Sequence, residues 1–157
     1  MLVRLLPDQV ANNWDLIKYA INESMMPTVI GSPEKMNNMF GSLLIGKMVC
    51  WASVRTDEEG MASNIEGIII TTVQTDGISG MRSLFIFCIY SFANESIDLT
   101  WREGLRKLTN FAISQRCDQI IGYTKNDNIC KFVDRVGGDT SHRFVTIPLS
   151  QNGTQEE

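Results

Sequence analysis

Thr100-Trp101-Arg102-Glu103 has the reciprocal pattern of a helix start, a hydroxyl followed three residues later by a carboxylate. Thr100 would accept from the N–H of Glu103, and Glu103 from the N–H of Thr100. This predicts a helix from Trp101 whose first amides are occupied by the chain's own side chains. An anion placed there would also meet Glu103. Two like charges about 4 Å apart repel by ~1 kcal/mol in water and ~4 kcal/mol near a protein surface. Other reactive groups are sparse. Cys50, Cys88, Cys117 and Cys130 form no C-x-x-C pair, and three of them sit in apolar runs (VCW, FCI, ICKF). There a reduced thiol acts as a small hydrophobe. The single histidine, His142, has no nearby Cys and no H-x-x-x-H partner, so no metal site is expected. No G-x-S-x-G elbow exists for a Ser-His-Asp hydrolase.

The elements that position these groups must come from a chain of 157 residues, 43% hydrophobic and 20% charged. That suits one soluble domain with its own core, here expected over residues 1–149 with a polar tail over 150–157. A net charge of -4 has no basic footprint, so nucleic acid is not an expected partner. The apolar stretch of MLVRLLPDQ is too short for a signal peptide or a membrane span, so no membrane is expected and the expected location is cytoplasmic.

Met1 to Leu6 reads as a strand ended by Pro7. Val10, Trp14, Ile17 and Ile21 then follow helical spacing. Ser32-Pro33-Glu34 opens a second helix carrying Met36, Phe40 and Leu43 or Leu44, with Gly46 at its stop. Strands are expected over Lys47–Arg55, Ile65–Thr75 and Ser83–Tyr90, the last apolar throughout and therefore central. Asp76-Gly77 begins a connection longer than a two-residue hairpin. A helix from Trp101 to about Gln115, a strand over Asp118–Thr124, a short helix over Asp127–Val136 and a closing strand over Arg143–Leu149 complete the order.

This order, with Asn126 opening NDNICKFVDRVGG after the strand Ile120-Ile121-Gly122-Tyr123, resembles the GCN5-related N-acetyltransferase (GNAT) fold. The resemblance covers essentially the whole chain. It implies an α/β (α+β) architecture, a mixed sheet of about six strands flanked by about four helices. Two departures stand out. The family's acid tyrosine falls on or beside Val133, which has no proton to give and belongs to an apolar face with Ile129, Phe132 and Val136. The phosphate-cradling loop of the family, Q/R-x-x-G-x-G/A, is represented only by Gly104 in IDLTWREGL.

With those departures the chain is similar to small bacteriophage-encoded GNAT-like proteins with an eroded acetyl-CoA motif. The expectation is a protein without catalysis and without cofactor, a virion structural or accessory component acting through contacts with other protein chains or copies of itself. Its location would then be the host cytoplasm or the virion. Met25, Met26, Met36, Met39 and Phe40 are the expected contact residues, since methionine-rich surfaces adapt to partners. The alternative is an acetyl-CoA-dependent N-acetyltransferase with a non-standard site. In that case the resemblance assigns catalysis to Glu66, Tyr90 and Tyr123, and coenzyme contacts to Phe92, Arg102, Gly104 and Asn126.

Overall fold

A computed structural model describes residues 1–24, 32–60, 62–92 and 98–149. Met25 and Met26 lie outside the described residues. The chain divides into two compact units, Met1–Thr124 and Lys125–Glu157.

The first unit is built on strands β1 (Leu2–Arg4), β2 (Val49–Thr56), β3 (Ala62–Thr75), β4 (Arg82–Ser91) and β5 (Gln119–Gly122). They pair in sequence order, antiparallel up to β4, with β5 parallel to β4. Helices α1 (Pro7–Asn12), α2 (Trp14–Glu23) and α3 (Pro33–Leu44) precede β2, and α4 (Asp98–Ser114) connects β4 to β5.

The single helix expected after Pro7 is two. Asn13 leaves helical geometry at φ -109°, and its side-chain Nδ2 donates to the Gln9 carbonyl at 2.8 Å, closing α1. Its own carbonyl then accepts from Ile17 N–H and restarts the helix as α2. Ser32 caps α3 through Lys35 N–H, with Pro33 at the first position, as the sequence predicts.

Each sheet face buries its own core. On one, Val10, Ile17, Ile21, Met36, Met39 and Leu43 from α1–α3 pack on Cys50, Ala52, Ile68, Ile70 and Cys88. Met36 and Met39 are therefore core rather than contact surface, and Phe40 stacks on Trp14 at 4.5 Å. On the other face Leu108 and Ala112 of α4 pack on Leu2, Trp51 and Leu84. Burying two faces is what makes the run from Ser83 apolar without interruption.

The second unit contains α5 (Asp127–Arg135). Asn126 is its N-cap, accepting from Asn128 N–H at 2.9 Å. Gly137 follows at φ +86°, a conformation that favours glycine. Gly138 lies so close to Val133 that a Cβ there would meet Val133 Cγ1 at 2.4 Å. The closing strand expected over Arg143–Leu149 does not form. Val145, Ile147 and Leu149 are 77%, 82% and 88% exposed, and they belong to no described strand. Alternating apolar residues make a strand only where another strand takes their backbone groups. Among the described residues there are thus five strands and five helices, where about six and about four were expected.

Candidate functional site

Two backbone features open a site at the C-terminal end of β4. Parallel pairing with β5 ends at Ile86–Gly122, whereas β4 runs on to Ser91. The two strands therefore fork, and the β5-facing edge of Phe87–Tyr90 has no described strand beside it. At the fork β4 also bulges. Ile70 pairs with Cys88 but Thr71 pairs with Ile86, leaving Phe87 as the extra residue. The two strands approach closely just before they part. A Cβ on Gly122 would sit 3.1 Å from the Ile86 carbonyl oxygen.

The bulge explains a break in the sequence pattern. Phe85 and Phe87 alternate, as do Tyr90 and Phe92, but the second pair has the opposite parity. One extra residue between them returns all four rings to the α1–α3 face. There Phe85 lies 5.9 Å from Phe87 and 5.3 Å from Tyr123, and Tyr90 lies 5.0 Å from Phe92. Tyr19 of α2 joins the second group, 6.0 Å from Tyr90 and 6.2 Å from Phe92. Sequence reasoning picked out Tyr90, Phe92 and Tyr123 but missed Tyr19 and Phe85. The parity break was the available signal.

The titratable groups differ in their surroundings. Burial, then the Tyr19 hydroxyl and the charges of Tyr19 and Glu23, raise the Tyr90 phenol above its ordinary value. Tyr90 thus carries its proton throughout the physiological range. The Tyr123 hydroxyl oxygen is buried. Glu66 is itself a bulged residue of β3, between the Ser53–Gly67 and Val54–Ile65 pairs. Its carboxylate accepts from Arg55 Nε at 2.6 Å, and its carbonyl accepts from Phe92 N–H at 2.8 Å. Glu66 is thereby tied to the end of β4. The Phe92 amide, expected to serve a coenzyme, is occupied by this bond.

At α4 the sequence expectation fails in register. The helix begins at Asp98 rather than Trp101, so Thr100 is its third residue and not its cap. The opening amides belong to Asp98, Leu99 and Thr100, and Glu103 stands more than a turn further in. The proposed capping box therefore does not close this helix. Residues 93–97, directly before it, lie outside the described residues. Arg102 is exposed and Gly104 is buried, the latter facing Leu2 in ordinary contact. Asn126 belongs to the second unit, where it caps α5.

Elsewhere no competing chemistry assembles among the described residues. No group of three His, Cys, Asp or Glu residues could hold a metal ion. His142 Nδ1 is 3.4 Å from Asp139, which also accepts from the Ser141 hydroxyl at 2.6 Å. The carboxylate, not the imidazole, occupies the middle of that row, so His142 cannot activate Ser141. No described helix is long and apolar enough to cross a membrane.

The fork, the bulge and the crossover helix α4 define a class. No protein-family model matches the chain, and no curated protein matches it in sequence. Solved structures match along nearly its full length. An aminoglycoside acetyltransferase from an uncultured soil metagenomic sample, in complex with trehalose, aligns with TM-score 0.68 at 11% identity, covering 97% of this chain and 96% of that one. A predicted acetyltransferase with acetyl-CoA from Clostridium acetobutylicum aligns with TM-score 0.67 at 12% identity, covering 94% and 95%. Ribosomal-protein-alanine N-acetyltransferase from Brucella melitensis aligns with TM-score 0.65 at 12% identity, covering 95% and 99%. The chain has the GNAT acetyltransferase fold.

Proposed function

We propose that this chain is an acetyl-CoA-dependent N-acetyltransferase with a non-standard site. The observation that carries the reading is the fork beyond Ile86–Gly122 with the Phe87 bulge at its mouth. An unpaired strand edge offers backbone donors and acceptors to an extended, amide-bearing arm, as it would to another strand. The β4 edge over Phe87–Tyr90 fits the pantetheine arm of acetyl-CoA in that way, and the start of α4 would face its phosphates. The coenzyme supplies an acetyl group activated as a thioester.

The chain's own residues supply the rest. The β4 edge orients the acyl group, and the aromatic face keeps water from it. Glu66, positioned by Arg55, takes the proton of the attacking amine directly or through a water. Tyr90 or Tyr123 returns a proton to the leaving sulfur. This moves the acid from the α5 position, where Val133 has none to give, onto β4 or β5.

Thermal unfolding with acetyl-CoA tests the reading. At ~100 times its dissociation constant a ligand stabilises by ~2.7 kcal/mol, a shift of several degrees for a domain of this size. Thiol release on adding amines should accompany it. An unchanged midpoint at millimolar coenzyme would remove the enzyme.

The exposed apolar run Phe144–Leu149 favours a second reading, a non-catalytic protein acting through contacts with other chains or with copies of itself. A bacteriophage virion structural or accessory role belongs to this reading. Presence of the chain in purified particles, without coenzyme binding, is its test.

A further inference from the structure

The α4 face of the sheet is not wholly covered. Beyond the last turn of α4 lies a cavity of about 230 Å³ whose lining includes Arg4, Thr71, Arg82, Phe111 and Gln115. Arg82 is the first residue of β4, and Gln115 directly follows α4. The cavity is thus at the opposite end of both elements from the fork, and it does not depend on the acetyltransferase reading.

Its polar groups are donors. Arg4 stands two residues after buried Leu2 and so projects from the same face of β1. Its guanidinium has no hydrogen-bond or ion-pair partner among the described residues. Arg82 donates from Nε to the Gln115 carbonyl at 2.7 Å and from Nη1 to Thr75 Oγ1 at 3.4 Å, with no carboxylate against its guanidinium. Those bonds fix it, and they also quench the carbonyl at the end of α4 that would repel an anion. Thr71 is fully buried beneath the cavity, its Oγ1 accepting from Trp51 Nε1 at 2.9 Å. No Asp or Glu lines the cavity. Two guanidinium groups and no acid form an unusual lining in a chain of net charge -4.

We propose that this cavity is a second binding site, for a small organic anion. Arg4 and Arg82 grip its carboxylate or phosphate group. Phe111 supports its organic part. The cavity, about 230 Å³, has room for a compact metabolite.

Calorimetric titration of the full chain with succinate and with inorganic phosphate, at constant ionic strength, tests this. Saturable binding of either is expected, the tighter of the two naming the headgroup, and succinamide should not bind. Arg4→Ala should weaken binding about tenfold or more while unfolding at the wild-type temperature. Arg82→Lys, which keeps the charge but loses the fork, should also bind less tightly. Arg106→Ala, on the exposed side of α4, should bind as wild type. No saturable binding of either anion up to about 10 mM, or equal affinity in wild type and Arg4→Ala, would overturn the site.

Discussion

Cys50 and Cys88 show what burial does to a single group. Each pairs with Ile70 across the sheet, so the two lie two strand spacings apart, ~10 Å, too far for a disulfide. Burial, with Cys88 nearby, pushes Cys50 from 9.0 to about 12. Burial, partly countered by the Ser24 hydroxyl, pushes Cys88 to about 11. Both folded values lie above the ordinary one, so their contribution is fully present below pH 9 and lost as pH rises towards 11 and 12. The slope is about 1.4 kcal/mol per pH unit for each group. The melting temperature should therefore fall steeply above pH 9, and Cys50→Ala with Cys88→Ala should flatten that fall while lowering the neutral-pH value. Alkylation at pH 8 should modify Cys117 and Cys130, both half-buried, well before the other two. At the proposed catalytic residues, Glu66→Gln and the Phe replacement of whichever tyrosine is the acid should each lower kcat by about 10²–10⁴-fold. The other tyrosine's replacement should leave kcat near wild type, and coenzyme-induced stabilisation should persist in all three variants.

The β4 strand is the element on which the site rests, and glycines let its neighbours approach it. A Cβ on Gly67 would lie 3.0 Å from the Tyr90 carbonyl oxygen, and one on Gly122 would lie 3.1 Å from that of Ile86. The obstructing atoms are backbone, which yields less readily than a side chain. Gly67→Ala and Gly122→Ala should each destabilise by about 1–3 kcal/mol, read as a lower urea midpoint at unchanged slope. Deleting Phe87 is a stricter test. It removes the parity change, so Cys88, Tyr90 and Phe92 could no longer share a face with Phe85. That deletion should abolish the cooperative unfolding transition, whereas Phe87→Leu should keep it.

For the whole molecule, burial separates two populations of apolar residues. Ile17, Ile21, Ile68 and Ile70 are fully enclosed, while Ile147 and Leu149 are almost fully exposed. Ile17→Ala should cost about 2–5 kcal/mol of unfolding free energy, and Ile147→Ser should stay within about 0.5 kcal/mol of wild type. A larger loss at Ile147 would mean that the run is covered in solution, as the protein-contact reading requires. A run that carries no stability is instead free to be lost without harm to the fold.

Local spacing was enough to predict α3 with its Ser32-Pro33 start, strands β2 to β5, the helix α5, and the order that resembles a GNAT domain. These depend on periodicity and on contacts between near neighbours, which are written into short stretches of chain. The start of α4, the break at Asn13, the burial of Met36 and Met39, and the failure of Arg143–Leu149 to pair were decided elsewhere. Whether a cap forms, a methionine is covered or an alternating run becomes a strand depends on groups distant in sequence. The fork and the Phe87 bulge belong to the same class. The parity break from Phe85 to Tyr90 marked the spot, but only pairing with Ile70 and Thr71 on one side, and its loss beyond Gly122 on the other, turned a strand end into a site.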